Sequence, residues 1–163
     1  MTAGTGAGIT VWRIAKHTPE FLADDISGGG AKKAGGRWNS KGRAVVYASA
    51  SIALATLETL AHLGDSIAVR NAFLVRIDIP LAVWERRNRL APARLHPAWL
   101  AEPAGSATIA PGNRWLDSAA AAVLEVPSVI VPEESNLLIN PAHADMRLIR
   151  AAVARQFIYD PRL

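Results

Sequence analysis

The sequence predicts an α+β, or mixed α/β, domain with antiparallel strand neighbours, and three observations predict it. Half of the 163 residues are apolar, which suffices for one sizeable core and argues against disorder across the body of the chain. Short apolar runs ended by glycine, proline or asparagine alternate with capped or alanine-rich stretches, so strands and helices are mixed along the chain. Their order does not repeat as strand–helix–strand, so a doubly wound parallel sheet is not expected.

The elements follow in order. Residues 1–8 are small and polar and read as a tail, which leaves residues 9–163 as the domain. Ile9 to Ala15 reads as a strand. Thr18-Pro19-Glu20 is expected to open a short helix, with Thr18 as N-cap and Pro19 at the first helical position, until Ser27-Gly28-Gly29-Gly30 breaks it. Residues 34–42 (AGGRWNSKG) form a polar, glycine-bearing loop or hairpin-like turn. Ala44 to Ala48 is a nearly continuous apolar run that suits a buried strand.

Ser49 or Ser51 caps a helix that runs to about Leu63 and ends at Gly64. Phe73 to Ile79 alternates and meets Pro80, as a strand does. Residues 84–112 are rich in proline, arginine and tryptophan and read as irregular, with room for one short helix. Asp117 to Leu124 is expected to be helical on alanine propensity. Ser128 to Val131 and Asn136 to Ile139 read as short strands, Met146 to Ala154 as a helix, and Arg155 to Tyr159 as a closing strand.

Composition excludes several kinds of chemistry. The chain has no cysteine, so disulfides, thiolate zinc sites and cysteine nucleophiles are ruled out. His17, His62, His96 and His143 lack zinc-ligand spacing, and no metal is expected. There is no Rossmann fingerprint, no P-loop and no G-x-S-x-G elbow. No apolar run approaches the roughly 20 residues of a membrane span, and the N-terminus lacks the basic start and apolar run of a signal peptide. A soluble, cytoplasmic protein is the expectation. The formal net charge of +4 favours anionic partners, although it serves solubility equally well.

Four residues carry most of the chemical signal. Glu58 is the only Asp, Glu, Lys or Arg from Ala44 to Gly64. It flanks the helical stripe of Leu54, Leu57 and Ala61, and burial there is unfavourable for a carboxylate unless it is paired or used. The competing reading puts it on a narrow solvent-facing stripe with Thr59 and His62. Arg37 follows two glycines and suits bidentate recognition of phosphate or carboxylate; otherwise it is a surface arginine in a turn. Tyr47 offers a flat face and a polar handle, or is an ordinary core tyrosine. Ser128, inside an apolar segment, needs a partner for its hydroxyl, which a backbone bond would also satisfy.

Taken as an ordered set, these segments resemble a known family. Gly35-Gly36-Arg37-Trp38-Asn39, Gly42, Val46-Tyr47, Ala55, Glu58 and His62-Leu63 are similar to the front half of the RES domain. Val126-Pro127-Ser128 and Asn136 to Pro141 are similar to its back half. The family is named for an arginine, a glutamate and a serine, matched here by Arg37, Glu58 and Ser128. The similarity runs from about Val11 to Ile158, and its weakest part is Trp84 to Trp115, expected to be a lid, an antitoxin-contact surface or a solvated loop.

The resemblance implies a fold like that of ADP-ribosyltransferases, with a split, mostly antiparallel sheet and flanking helices. It implies a toxin of a bacterial toxin–antitoxin pair that takes NAD+ as substrate, with no resident cofactor. It implies a cognate Xre-like helix-turn-helix antitoxin whose C-terminal part plugs the active site, DNA contact only through that antitoxin, and compatibility with a homodimer. Glu58 would stabilise positive charge on the ribose as nicotinamide leaves, as carboxylates do in glycoside cleavage. Tyr47 would stack on the nicotinamide. Arg37, aided by Arg13, would hold pyrophosphate or ribose, and Ser128 would bond a ribose hydroxyl or orient Glu58. Asn39 and Asn136 are further binding candidates. Water, phosphate and a protein side chain all remain open as acceptor. A basic nucleic-acid-binding or nuclease toxin is the alternative, but the few aromatics do not interleave with a basic cluster.

Overall fold

The computed structural model describes residues 7–63 and 72–163. Most of the expected tail and the expected helix terminator, Gly64, lie outside the described residues. Eleven elements are described, with three short 3-10 turns at Pro92–Arg94, Pro97–Leu100 and Ala144–Leu148. The elements are β1 (Ile9–Lys16), α1 (Gly29–Ala34), β2 (Val46–Ser49), α2 (Ile52–Leu63), β3 (Ala72–Ile79), α3 (Leu81–Glu85), β4 (Asn88–Arg89), α4 (Ser106–Ser118), β5 (Val123–Pro127), β6 (Ser135–Ile139) and β7 (Arg150–Phe157). The α+β expectation holds.

The strands form one sheet in the order β4-β5-β6-β2-β1-β3-β7, and only β4 and β5 run parallel. The sheet is far from uniform. β1 pairs with β3 along its whole length, from Ile9↔Ile79 to Lys16↔Ala72, and β2 pairs with β6 from Val46↔Ile139 to Ser49↔Asn136. Between these two blocks, β1 meets β2 at the single register pair Trp12↔Ser49. The expected split therefore survives as a narrow seam within a continuous sheet.

Strand alternation sorts the core onto two faces. Val46, Ala48, Leu137, Ile139, Val11 and Ile77 pack in one cluster. Their neighbours in sequence point the other way. Leu138, Leu124 and Val126 join Trp38, Trp115 and Leu116 in a second cluster. Leu74 and Phe157 form a third with Trp12, Ile14 and Ile52. The seam between β1 and β2 lies between the second and third clusters.

α2 starts as its sequence directs. The Ser51 hydroxyl accepts a hydrogen bond from the Leu54 amide at 3.1 Å, a capping contact, and Leu54 and Ala55 face the core. The expected stripe is rotated, however, because Leu57 is 41% exposed. α4 is a helix of 13 residues with Pro111 inside it, beginning in the stretch that proline, arginine and tryptophan mark as irregular. Gly112 explains the exception. A Cβ there would come within 1.8 Å of the Trp38 carbonyl oxygen, so only glycine lets the helix lie directly on the loop that follows α1.

Four expectations fail. Thr18 does not cap a helix; its hydroxyl and amide close a turn onto Phe21, and the helix forms later, at Gly29–Ala34, where the glycines suggested a break. Asp117 to Leu124 is helical only at Asp117 and Ser118, the end of α4. α4 ends with Ala119 at φ 50°, and Val123–Pro127 is a strand whose apolar residues are covered on both faces. Ser128 consequently lies just past a strand instead of opening one. Finally, Met146 to Ala154 is a 3-10 turn followed by most of β7. Its alanines favour helix locally, but pairing with β3 from Phe157 to Arg150 overrides that preference.

Candidate active site

Three of the singled-out residues converge where α2 crosses the ends of β5 and β6. The Ser128 hydroxyl donates to Glu58 Oε1 at 2.7 Å, and Asn136 Nδ2 donates to the same oxygen at 2.7 Å. Ser128 is fully buried, and its oxygen accepts from the Ile130 and Val131 amides, both at 3.1 Å. With both lone pairs engaged, its proton has one direction to go, towards Glu58. Asn136 is oriented in turn by Ser49, whose hydroxyl donates to Asn136 Oδ1 at 2.7 Å. The carboxylate therefore sits at the end of two ordered chains of donors, of which the two final bonds are charge-assisted.

Glu58 itself is half-buried rather than enclosed. Among the described residues its second oxygen, Oε2, has no hydrogen-bond partner. One oxygen is thus fixed and the other is open, an arrangement able to hold a carboxylate at set geometry against a charge that develops nearby.

A second group surrounds the turn at residues 36–39. Gly36 and Asn39 form an isolated bridge. The Tyr47 hydroxyl donates to Asn39 Oδ1 at 2.6 Å and accepts from the Trp38 amide at 3.0 Å. A Cβ on Gly36 would come within 2.7 Å of that hydroxyl, so the turn closes only around glycine. Burial pushes the Tyr47 phenol up to about 12, against the weaker pull of the Trp38 amide and the Arg37 charge. Asn39 is buried, and its Nδ2 donates to the carbonyls of Ala31, Ser40 and Arg43. Its amide fastens the loop and is not presented to a ligand. α4 clamps the same loop, through paired Ser40–Asn113 hydrogen bonds and a two-pronged Arg43–Asp117 bridge at 2.9 Å.

Arg37 points away from that turn into the irregular segment after α3. Its guanidinium donates to the Ala101 carbonyl at 2.9 Å, to the Trp99 carbonyl at 3.3 Å and to Glu102 Oε2 at 2.5 Å. Arg13 is placed differently. Trp12 and Ile14, on either side of it, pack with Ile52 and Leu74, so alternation turns Arg13 to the face of Val11 and Ala15. Burial lowers its basicity, partly offset by the charge of Asp25. The structure thus brings Glu58, Ser128 and Asn136 into direct contact, links Tyr47 to Asn39 and through Trp38 to the Arg37 turn, and leaves Arg13 on the other face.

Sequence reasoning missed two participants. The sequence offers Ser49 only as a helix cap, whereas the cap is Ser51 and Ser49 orients Asn136. Its signal was a hydroxyl at the end of an apolar strand, directly opposite an asparagine once the β2–β6 register is known. Glu102 lies in the stretch with least periodicity, and nothing local marked it. No group of three or more acidic or histidine side chains able to hold a metal ion occurs among the described residues, and no helix among them is long and apolar enough to cross a membrane.

Comparison with known proteins adds a family to this geometry. The RES domain profile matches residues 10–160. A protein of Sphingobium sp. (strain YBL2) named Prs ADP-ribosylating toxin is 50% identical over 152 residues, covering 93% of this chain and 94% of that one. Proteins named Toxin Res are 40% identical in Yersinia enterocolitica, over 88% of this chain and 93% of that one, and 37% identical in Pseudomonas putida, over 94% and 98%.

Proposed function

The chain belongs to the RES domain family, and from that premise we propose that it is a toxin enzyme that cleaves the nicotinamide–ribose bond of NAD+ and transfers the ADP-ribosyl group to a protein. The observation that carries the reading is Glu58, a lone carboxylate with one oxygen held at 2.7 Å by both Ser128 and Asn136 and the other open.

The chemistry asks for little else. The bond between C1′ of the ribose and the pyridinium nitrogen breaks, and its electron pair leaves with nicotinamide, which departs neutral. No general acid is needed. Positive charge grows on the ribose ring as the bond lengthens, and a fixed carboxylate stabilises it more than it stabilises the ground state. The acceptor nucleophile then bonds to C1′ and loses its proton. Ser128 and Asn136 act by holding Glu58 at one geometry; Ser128 has no unengaged lone pair with which to attack. Arg37 serves the anionic pyrophosphate, and the Tyr47 ring is available to the nicotinamide.

A protein acceptor is favoured over water or phosphate by the name of the Sphingobium relative, which makes Prs the first acceptor to try. The relatives named Toxin Res support an antitoxin partner, and a helix-turn-helix protein whose C-terminal segment covers the Glu58 site is the form proposed. The deciding experiment incubates purified chain with labelled NAD+, with and without purified Prs and with and without phosphate. Nicotinamide release with label on Prs, lost in Glu58→Gln, is the expected result. Free ADP-ribose would reassign the acceptor to water and its phosphorylated form to phosphate. Intact NAD+ under every condition would remove the reading.

A further inference from the structure

Arg37 is not waiting empty. Its side chain is only 16% exposed, and three acceptors from one short segment converge on it: the carbonyls of Trp99 and Ala101 and the carboxylate of Glu102. The segment itself is irregular. It consists of the Pro97–Leu100 turn, capped by the His96 side chain, which accepts from the Ala98 amide at 3.1 Å. Trp99 anchors it by burial. Glu102 is the opposite of Arg37 in every respect that matters for exchange: it is 81% exposed, on a loop, and the guanidinium is its sole hydrogen-bonding contact among the described residues.

A planar guanidinium is suited to paired oxygens of a carboxylate or a phosphate alike. The group that now occupies it is a carboxylate on a side chain free to swing into solvent. We propose that Glu102 is a built-in counter-anion for Arg37, which an anionic group of the substrate must displace, and that it thereby sets the affinity of the site for pyrophosphate-bearing ligands. The inference rests on the NAD+ reading for the identity of the ligand, and on the Arg37 geometry alone for the displacement.

Two consequences follow. Ligands with a single weak anionic group compete poorly with an intramolecular carboxylate, whereas a pyrophosphate with two charged centres competes well, so Glu102 sharpens selection for the latter. The substrate also gives up part of its binding energy to the exchange. Because Arg37 remains tied to the Trp99 and Ala101 carbonyls, removing the charge of Glu102 leaves the segment attached.

The test compares Glu102→Gln with the unaltered chain in two measurements. In NAD+ turnover at low salt, KM is expected to fall about two- to fivefold, the range for an exposed ion pair, with a smaller change in kcat. The gap should narrow as salt rises, since an exposed charge is screened. The second measurement is calorimetric titration with inorganic pyrophosphate in a Glu58→Gln background, where no turnover intervenes. Tighter pyrophosphate binding by the Glu102→Gln form supports the proposal; equal or weaker binding overturns it, as does an unchanged or raised KM. If the unaltered chain leaves NAD+ intact, the functional reading fails, and the pyrophosphate titration still decides the role of Glu102.

Discussion

The Glu58 end and the Arg37 end of the candidate site are built on different principles. Glu58 rises from a regular helix and is gripped by side chains at the ends of regular strands, through donors that are themselves oriented by Ser49 and by two backbone amides. Arg37 rises from a turn and is met by an irregular segment whose one charged member is exposed. On the proposed reading, the end assigned to the chemistry is fixed in advance, while the end assigned to binding is filled by a group that the ligand would replace. Preorganisation belongs where charge develops in the transition state, and exchange belongs where a ligand must enter and leave.

Substitutions at the two ends should therefore separate in their kinetics. The largest effect is expected from Glu58→Gln, with turnover of NAD+ reduced by about a thousandfold or more and the thermal midpoint nearly retained. A variant that retained full rate would erase the distinction between the ends. Arg37→Ala should instead raise KM by roughly ten- to a hundredfold, the loss of a charge-assisted contact, and change kcat less. A pure kcat defect there would mean that Arg37 acts on the reacting bond.

Ser128→Ala should lower kcat about tenfold, less than Glu58→Gln, since Asn136 still holds the carboxylate; denaturant unfolding should show a loss of about 1–3 kcal/mol because the Ile130 and Val131 amides lose their acceptor. The smallest effect belongs to Tyr47→Phe, with about 1–2 kcal/mol lost as the buried Asn39 oxygen and Trp38 amide go unpaired. Its pH signature is specific. The Tyr47 phenol is raised from 10.0 to about 12, so its contribution is complete below pH 10 and is lost as pH climbs towards 12. Stability curves of the two proteins should converge across that interval.

Much of the molecule was legible in its residues, for identifiable reasons. The strands around Val11, Val46, Val75 and Leu137 carry apolar runs with clear ends, and Ser49 or Ser51 marks the start of the helix that carries Glu58. The Ser128 hydroxyl, which in apolar surroundings demands a partner, finds one in Glu58. The errors cluster where local preference and long-range pairing disagree. Alanines at 119–122 and at 151, 152 and 154 favour helix, yet β5 and β7 are formed by partners distant in the chain. α4 is longer than the one short helix that residues 84–112 leave room for, and it lies on the Trp38 carbonyl only because position 112 is glycine. Residue type alone does not separate Arg13 from the site, and only strand alternation shows which face it takes.

The sheet that carries this site is fastened across its middle by one rung, Trp12↔Ser49, while the blocks on either side are laced along their lengths. That leaves two fully paired blocks meeting at a joint with few backbone bonds, spanned on one face by a shared apolar cluster. Ser49 is both the rung and the first link in the chain of donors that ends on Glu58. One residue position thereby ties the placement of the carboxylate to the place where the two blocks meet.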